Sequence, residues 1–326
     1  MRGTQPYTNE HVQVISVLRK RKGSKLSMKK RLVPLVLSVS LCLSLSLPAM
    51  ATSGPDDAAL SDAYIAFSEQ LADMDITVQT CLEDFISGYE SFTGETVQQY
   101  VDELVEYEIQ LAPQLEDGIN ANLRAAAEFY AANPPEPETR ASVRGEWYDN
   151  IGETDTEPSE RADYSTYNIL STVKKGDIVQ ETSGGIATIV GHIAIVEGKY
   201  WDSTHKLYYI RTVEATWPTV THGALDDERY DERGVNVYYV TNASSTKKSG
   251  AVDFCIGQIG KPWRPDLNIV SKLNADEDNP NWYCSELVWA AYYSEGINLN
   301  GSTIPNHLYM PDELASSSKL TYRDVE

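Results

Sequence analysis

Asn279-Pro280-Asn281-Trp282-Tyr283-Cys284-Ser285-Glu286-Leu287-Val288-Trp289 places a cysteine at the first turn of an expected helix. The apolar spacing predicts that this helix runs from about Cys284 to Glu295 and stops at Gly296, a usual residue after a helix end. A thiol at that position feels the positive end of the helix dipole and the unpaired N–H groups of the first turn. Both favour the thiolate, and the same N–H groups can hold an oxyanion. Cys284, Leu287, Val288 and Ala291 also form an i, i+3, i+4, i+7 stripe, so a plain core residue is an equally good reading of the spacing alone.

Upstream lies a second expected helix, over about Ser249–Gly260, and before it the apolar period falls to two. Asp177-Ile178-Val179, His192-Ile193-Ala194-Ile195-Val196, Leu207 to Val213 and Val235 to Val240 read as strands bounded by Gly, Asp and Asn. Sheet first and helices after predicts an α+β domain over 164–326. His192, at a strand start after Gly191, is a candidate general base for a cysteine nucleophile, although a histidine there also fits a structural role. Glu214, in Ile210-Arg211-Thr212-Val213-Glu214-Ala215, is placed to lie opposite His192 on a neighbouring strand and fix its tautomer. An ordinary solvent-facing acid is the alternative.

Five motifs in order resemble those of the YiiX-like permuted papain-fold amidases, relatives of the NlpC-type peptidases. They are Gly176-Asp177-Ile178-Val179, Gly191-His192-Ile193-Ala194-Ile195-Val196, Val213-Glu214-Ala215, Ile259-Gly260-Lys261-Pro262-Trp263 and Trp282-Tyr283-Cys284-Ser285-Glu286-Leu287-Val288-Trp289. The resemblance spans about residues 165–315 and implies a permuted papain-like domain in which the histidine strand precedes the cysteine helix. It implies a Cys284 nucleophile, a His192 base and a Glu214 orienter, acting on cell-wall peptides or other amides, acyl-amino compounds included. Trp263, Trp282 and Tyr283 are the substrate-binding candidates. Trp263 departs from the family's usual tyrosine, and an indole N–H donates but cannot accept.

Residues 52–132 read differently. Leu60, Tyr64, Phe67 and Leu71 recur at helical spacing, as do Val78, Leu82 and Phe85, then Tyr100, Leu104, Tyr107 and Leu111, then Ile119, Leu123, Ala126 and Tyr130. Three or four helices are expected, punctuated by Gly94 and the Ala112-Pro113 step. The Pro-rich Asn133-Pro134-Pro135-Glu136-Pro137 opens an expected linker over 133–163.

Residues 1–51 carry a secretory pattern. Met28-Lys29-Lys30-Arg31 precedes an apolar run from Leu32 to Leu47 and an Ala49-Met50-Ala51 cleavage site, so Met28 is a candidate start and Cys42 leaves with the leader. That segment holds nine of the 27 Lys and Arg and one of the 48 Asp and Glu, which leaves the remainder at −29. Such a surface argues against nucleic acid or an anionic membrane as a partner, and favours solubility first. No membrane span is expected after processing.

The remaining three cysteines leave at least one thiol without an internal partner. A Cys81–Cys255 bridge is open and leaves Cys284 free. No Cys/His pair has metal-ligand spacing, so neither metal nor cofactor is expected. Asp226-Asp227-Glu228 and Asp276-Glu277-Asp278 read as charged, solvated loops rather than calcium sites. His205 falls in an expected hairpin turn, His222 follows the Glu214 strand, and His307 lies in a C-terminal loop. The expected protein is therefore a secreted cysteine amidase or peptidase. The alternatives are a thiol enzyme acting on lipid-like acyl groups, signalled by a groove of Trp201, Trp217, Trp263 and Trp282, and an inactive cell-wall binding module.

Overall fold

The run Ile193-Ala194-Ile195-Val196 is apolar toward both sides, and both sides are buried. In this computed structural model, which describes residues 55–94, 96–132, 162–182, 191–264, 277–299 and 310–326, the run lies inside a sheet covered on two faces. The leader expected over 1–51 and the linker residues 133–161 lie outside the described residues, as do His307 and residues 265–276 before Cys284. The strands are β1 (Ile178–Glu181), β2 (His192–Asp202), β3 (Leu207–Ala215), β4 (Val220–Leu225), β5 (Val235–Val240) and β6 (Leu320–Arg323). They form one sheet in the order β4-β3-β2-β1-β5-β6, antiparallel throughout. With helices on its faces, the molecule is α+β, as the change of period at about residue 164 predicts.

The helices are α1 (Asp57–Asp73), α2 (Leu82–Ser91), α3 (Val97–Ala132), α4 (Ile169–Thr172), α5 (Asp227–Arg233), α6 (Ser245–Ile256), α7 (Cys284–Ser294) and α8 (Pro311–Ala315). Ile193, Ile195, Val213 and Ala215 pack under α6 and α7 with Ala251, Phe254, Leu287 and Ala291. Ala194, Val196 and Ile210 face the other way, onto Ile169, Val173 and Tyr230 of α4 and α5. The strand period of two decides which residue joins which layer.

Two expectations are corrected here, and one open point is closed. The Ala112-Pro113 step does not end a helix; α3 runs through Pro113 without a break. Pro113 is exposed, so the carbonyl its missing N–H would have bonded is open to water, and both halves of the helix are anchored elsewhere. Tyr100, Val101 and Val105 pack with Tyr64, Phe67 and Phe85, while Asn122 Nδ2 donates to Ile259 O at 2.7 Å. Second, Asp226-Asp227-Glu228 is not a solvated loop. Asp226 caps α5 by accepting from Arg229 N at 2.9 Å, and Asp227 accepts from Thr166 N, so both are buried. The open point is the Cys81–Cys255 pair, which is not bridged: both thiols are free and buried, in different core clusters.

α1 and α2 lie against the outer part of the β2–β3 hairpin. Tyr64 stacks at 6.4 Å from Tyr208, and Lys199 N donates to Glu83 Oε2 at 3.0 Å. The buried Glu108 of α3 accepts from Gln79 N, Thr80 N and Thr80 Oγ1, which ties the α1–α2 loop to the long helix. At its far end α3 reaches the cysteine layer, where Tyr130 Oη donates to the carbonyls of Pro218 and Trp263. Among the described residues no helix is long and apolar enough to cross a membrane.

Candidate active site

Cys284 is the first residue of α7, and the segment before it is pinned to the end of α6 and the residues that follow it. Trp282 N donates to Pro262 O and Arg264 N to Trp282 O, both at 3.0 Å. The Trp282 indole is fully enclosed, edge-on to Phe254 at 5.7 Å, with Nε1 donating to Gln258 Oε1 at 3.1 Å. Tyr283 takes the N-cap position in an extended conformation and supplies no side-chain acceptor to the first turn. Leu287, Val288 and Ala291 are wholly buried, whereas Cys284 is only partly so, and the stripe surfaces at the thiol. Gly296, with φ 75°, ends the helical stretch as expected. In contrast, burial pushes the Cys81 and Cys255 thiols up, away from the reactive form.

His192 opens β2 and Glu214 is the penultimate residue of β3, so antiparallel pairing brings them to the same end of the sheet. His192 Nε2 lies 2.8 Å from Glu214 Oε2. Since the carboxylate can only accept, Nε2 carries the proton and Nδ1 is the nitrogen left for the thiol. The Cys284 side chain adjoins the imidazole and raises its proton affinity. Burial alone would lower the histidine's proton affinity. The neighbouring Cys284 side chain, the bond to Glu214 and the negative charge of Glu181 outweigh it and hold His192 well above the ordinary histidine range. Glu214 is 1 % exposed, so it is not a solvent-facing acid. Burial works to raise its pKa, but the Arg229 charge and the contact with His192 hold it well below the usual carboxylate range.

Two residues that the sequence did not single out complete the setting of Glu214. Thr212 Oγ1 donates to Oε1 at 2.6 Å, and Arg229 grips both oxygens, Nη1 to Oε1 at 2.7 Å and Nη2 to Oε2 at 3.1 Å. The third missed feature is Gly223 of β4, the register partner of Thr212. A Cβ on Gly223 would stand 2.1 Å from Glu214 Oε1, so only glycine leaves room for the carboxylate. A glycine inside a β-branched run is the sequence signal for such a close approach. Gly223→Ala is expected to fold with a loss of about 1–3 kcal/mol, the usual cost of forcing extra volume into a packed site. It is also expected to slow alkylation of Cys284 by swinging Glu214 away from His192. Thermal melts and iodoacetamide labelling read the two effects, and wild-type labelling would sink the steric account.

The chain matches no protein-family model, no curated protein and no solved structure. The chemistry of the site therefore rests on its own geometry.

The four tryptophans do not line one groove. Trp282 is core, and Trp201 packs against Tyr208 at 5.1 Å on the β2–β3 hairpin under the N-terminal helices. Trp217 and Trp263 do meet, edge to face at 6.2 Å, with Tyr130 4.9 Å from Trp217. Trp263 bridges to Trp282 two residues before the thiol and remains partly exposed. Of the three substrate-binding candidates, Trp263 has open surface, Tyr283 is 8 % exposed and Trp282 has none. His222 lies inside β4, bonded through Nδ1 to Glu197 Oε2 at 3.0 Å, and His205 pairs with Asp202 in its turn. Neither belongs to the Cys284 site.

Proposed function

We propose that the protein is a cysteine hydrolase that cleaves an amide bond, with Cys284 as nucleophile, His192 as acid and base, and Glu214 as the residue that orients His192. The observation that carries this reading is the convergence of three side chains from the start of α7, the start of β2 and the end of β3: His192 Nε2 is bonded to Glu214 Oε2 at 2.8 Å, and the Cys284 side chain adjoins the same imidazole and raises its proton affinity. Cys284 Sγ adds to the substrate carbonyl, and the Cys284 N–H holds the oxyanion, since Tyr283 offers the first turn no side-chain acceptor. His192 gives its Nδ1 proton to the leaving amine as the C–N bond breaks, leaving a thioester. The neutral ring then takes a proton from water, hydroxide adds to the thioester, and the acid departs as the thiolate is restored. Glu214 keeps Nε2 protonated throughout and stabilises each imidazolium.

The permuted papain-like arrangement fits an antiparallel sheet whose histidine strand precedes the cysteine helix in the chain and packs beneath it. A secreted protein acting on cell-wall peptides, peptidoglycan fragments or acyl-amino compounds is the substrate reading. It rests on the leader-like residues 28–51 and the acidic composition. A lipid-acyl substrate is less favoured, because Trp201 and Trp282 are committed to packing elsewhere.

Incubating wild-type and Cys284→Ala protein with purified cell-wall fragments and acyl-amino substrates tests the reading, with products measured by mass. Wild type is expected to release products and Cys284→Ala none. Iodoacetamide labelling should fall on Cys284 and slow at least about tenfold in His192→Ala, with the buried Cys81 and Cys255 as internal controls. A Cys284 as inert as these two would exclude both the amidase and the lipid-acyl reading.

A further inference from the structure

Arg229 is 1 % exposed and sits on a seven-residue helix, α5, whose acidic start reads as solvated loop in the sequence. Its contacts match the five N–H donors of a guanidinium. Nε donates to Glu181 Oε1 at 2.8 Å, Nη1 to Glu214 Oε1 and to Ala224 O at 2.7 and 2.8 Å, and Nη2 to Glu214 Oε2 at 3.1 Å. Nη2 also lies 2.7 Å from Glu181 Oε1. Glu181 is the register partner of His192 on β1, and Glu214 lies on β3, the other neighbour of β2. The guanidinium therefore straddles the histidine strand and joins the carboxylates on either side of it. Asp226 fixes the first turn that presents Arg229, accepting from its backbone N–H, and Gly234 closes the helix with φ 58°.

We propose that Arg229 is a positioning residue of the Cys284–His192 site, clamping Glu214 by both oxygens so that Oε2 is aimed at His192 Nε2. The inference rests on the hydrolase reading above and extends it to a residue that touches neither thiol nor imidazole in that scheme. A carboxylate on a flexible glutamate stem has several rotamers, and a bidentate fork removes that freedom where a single charge would not. Three contacts fix Oε1, from Thr212 Oγ1, from Arg229 Nη1 and, on the crowded side, from the glycine surface of Gly223. Oε2 is then left to serve Arg229 Nη2 and His192. The titratable groups facing His192 are Glu214, Glu181 and the Cys284 thiol, with Arg229 behind both carboxylates.

Three full-length variants test the assignment. Arg229→Lys keeps the charge and loses the fork. The double variant Glu181→Gln/Arg229→Gln keeps the net charge of the cluster and loses the fork. Asp226→Ala alters no member of the cluster and loosens only the turn that seats Arg229. The readouts are the melting temperature and the iodoacetamide labelling rate of Cys284 at pH 6.5 and 9.5. In the first two variants labelling at pH 6.5 is expected to fall about tenfold while labelling at pH 9.5 stays within about twofold, because a poorly held Glu214 makes His192 a weaker base. Asp226→Ala is expected to fold and to show the same pattern at about threefold. A residue that merely supports the fold would lower both rates together or neither. A folded variant of any of the three with the wild-type pH dependence overturns the assignment. Failure of the hydrolase reading looks different: wild-type Cys284 would then label no faster than Cys81 and Cys255.

Discussion

Glu214→Gln is expected to lower turnover by about 10²–10⁴-fold while leaving Cys284 and His192 in place, the range seen when a positioned acid–base histidine loses its orienting carboxylate. The reason lies in what the amide cannot do. Glu214 Oε2 accepts from His192 Nε2 and Oε1 accepts from Thr212 and Arg229. Glutamine offers one oxygen and one NH₂. If its oxygen stays with Arg229, its NH₂ faces Nε2, which must then give up its proton. The ring turns to the wrong tautomer and Nδ1 can no longer take the thiol proton.

The pH dependence carries a sign that can be checked. Glu214 is held below its ordinary pKa, so its contribution to stability is present above about pH 4.3 and is lost as pH falls through its lower folded value. His192 is held above its ordinary pKa, so its contribution is full below about pH 6.5 and is lost as pH rises through its higher folded value. The stability gap between wild type and Glu214→Gln should therefore be widest between about pH 4.3 and 6.5 and narrow on either side. The alkaline limb of turnover should also move to lower pH in the variant. Urea melts across pH and a pH–rate profile measure both. Turnover within about threefold of wild type would remove Glu214 from the mechanism.

Much of this arrangement could be read from residue order, and the exceptions have physical causes. Ile193-Ala194-Ile195-Val196 announces a strand because no helix stripe places four successive apolar residues against two different cores. Cys284, His192 and Glu214 were recognisable as one of two readings each. Spacing describes a local face, whereas the contact among them depends on the pairing of β2 with β3 and on the seat of α7.

Arg229 was not legible for the same reason, and Gly223 signalled a close approach without naming its partner: the groups they meet, Glu214 and Glu181, are set by sheet register rather than by neighbours in the chain. A signal for α5 did exist, in the N-cap Asp226 and the closing Gly234, but three acids in a row read first as solvated loop. Trp282 shows the opposite error. An aromatic two residues before a candidate nucleophile looks like a cleft wall, yet its indole N–H is spent on Gln258 inside the core. Pro113 misled because the rule against proline assumes that the freed carbonyl has nowhere to go, and here it faces solvent.

Arg211→Met is expected to destabilise the protein by about 3–5 kcal/mol, the usual result of stripping one partner from a buried ion pair. Arg211 of β3 forks onto Glu197 of β2, with Nε to Oε2 and Nη2 to Oε1 both at 2.6 Å, and both residues are about as enclosed as side chains become. The guanidinium lies 3.6 Å from the Tyr200 ring centroid, and Nη1 donates to Val78 O at 3.1 Å. Tyr200 Oη reaches Glu197 Oε1 at 3.1 Å and Gln79 O at 3.0 Å. These bonds hold the α1–α2 loop on the sheet.

Burial alone would raise the Glu197 carboxyl, but Arg211 and His222 together hold it well below the usual range. Without Arg211 the carboxylate has His222 as its main positive partner, and burial pushes that imidazole toward its neutral form. A loss of this size should lower the melting temperature on the order of 10 °C for a chain of this length. Replacing both partners, as Glu197→Leu/Arg211→Met, removes the orphaned charge and should recover about half of the loss, the rest reflecting Val78 O, Tyr200 and His222 left without their bonds. The consequence extends to the thiol. The loop that Arg211 holds is also gripped by Glu108 of α3, and the same helix carries Tyr130 near its end, on the carbonyls of Pro218 and Trp263 beside the Cys284 segment. A loosened α3 should therefore raise KM more than it lowers kcat, since Trp263 borders the substrate side while Cys284, His192 and Glu214 are held by other elements. Melting of Arg211→Met within about 2 °C of wild type would show that the pair contributes little. Equal changes in kcat and KM would show that the helical half does not reach the site through α3.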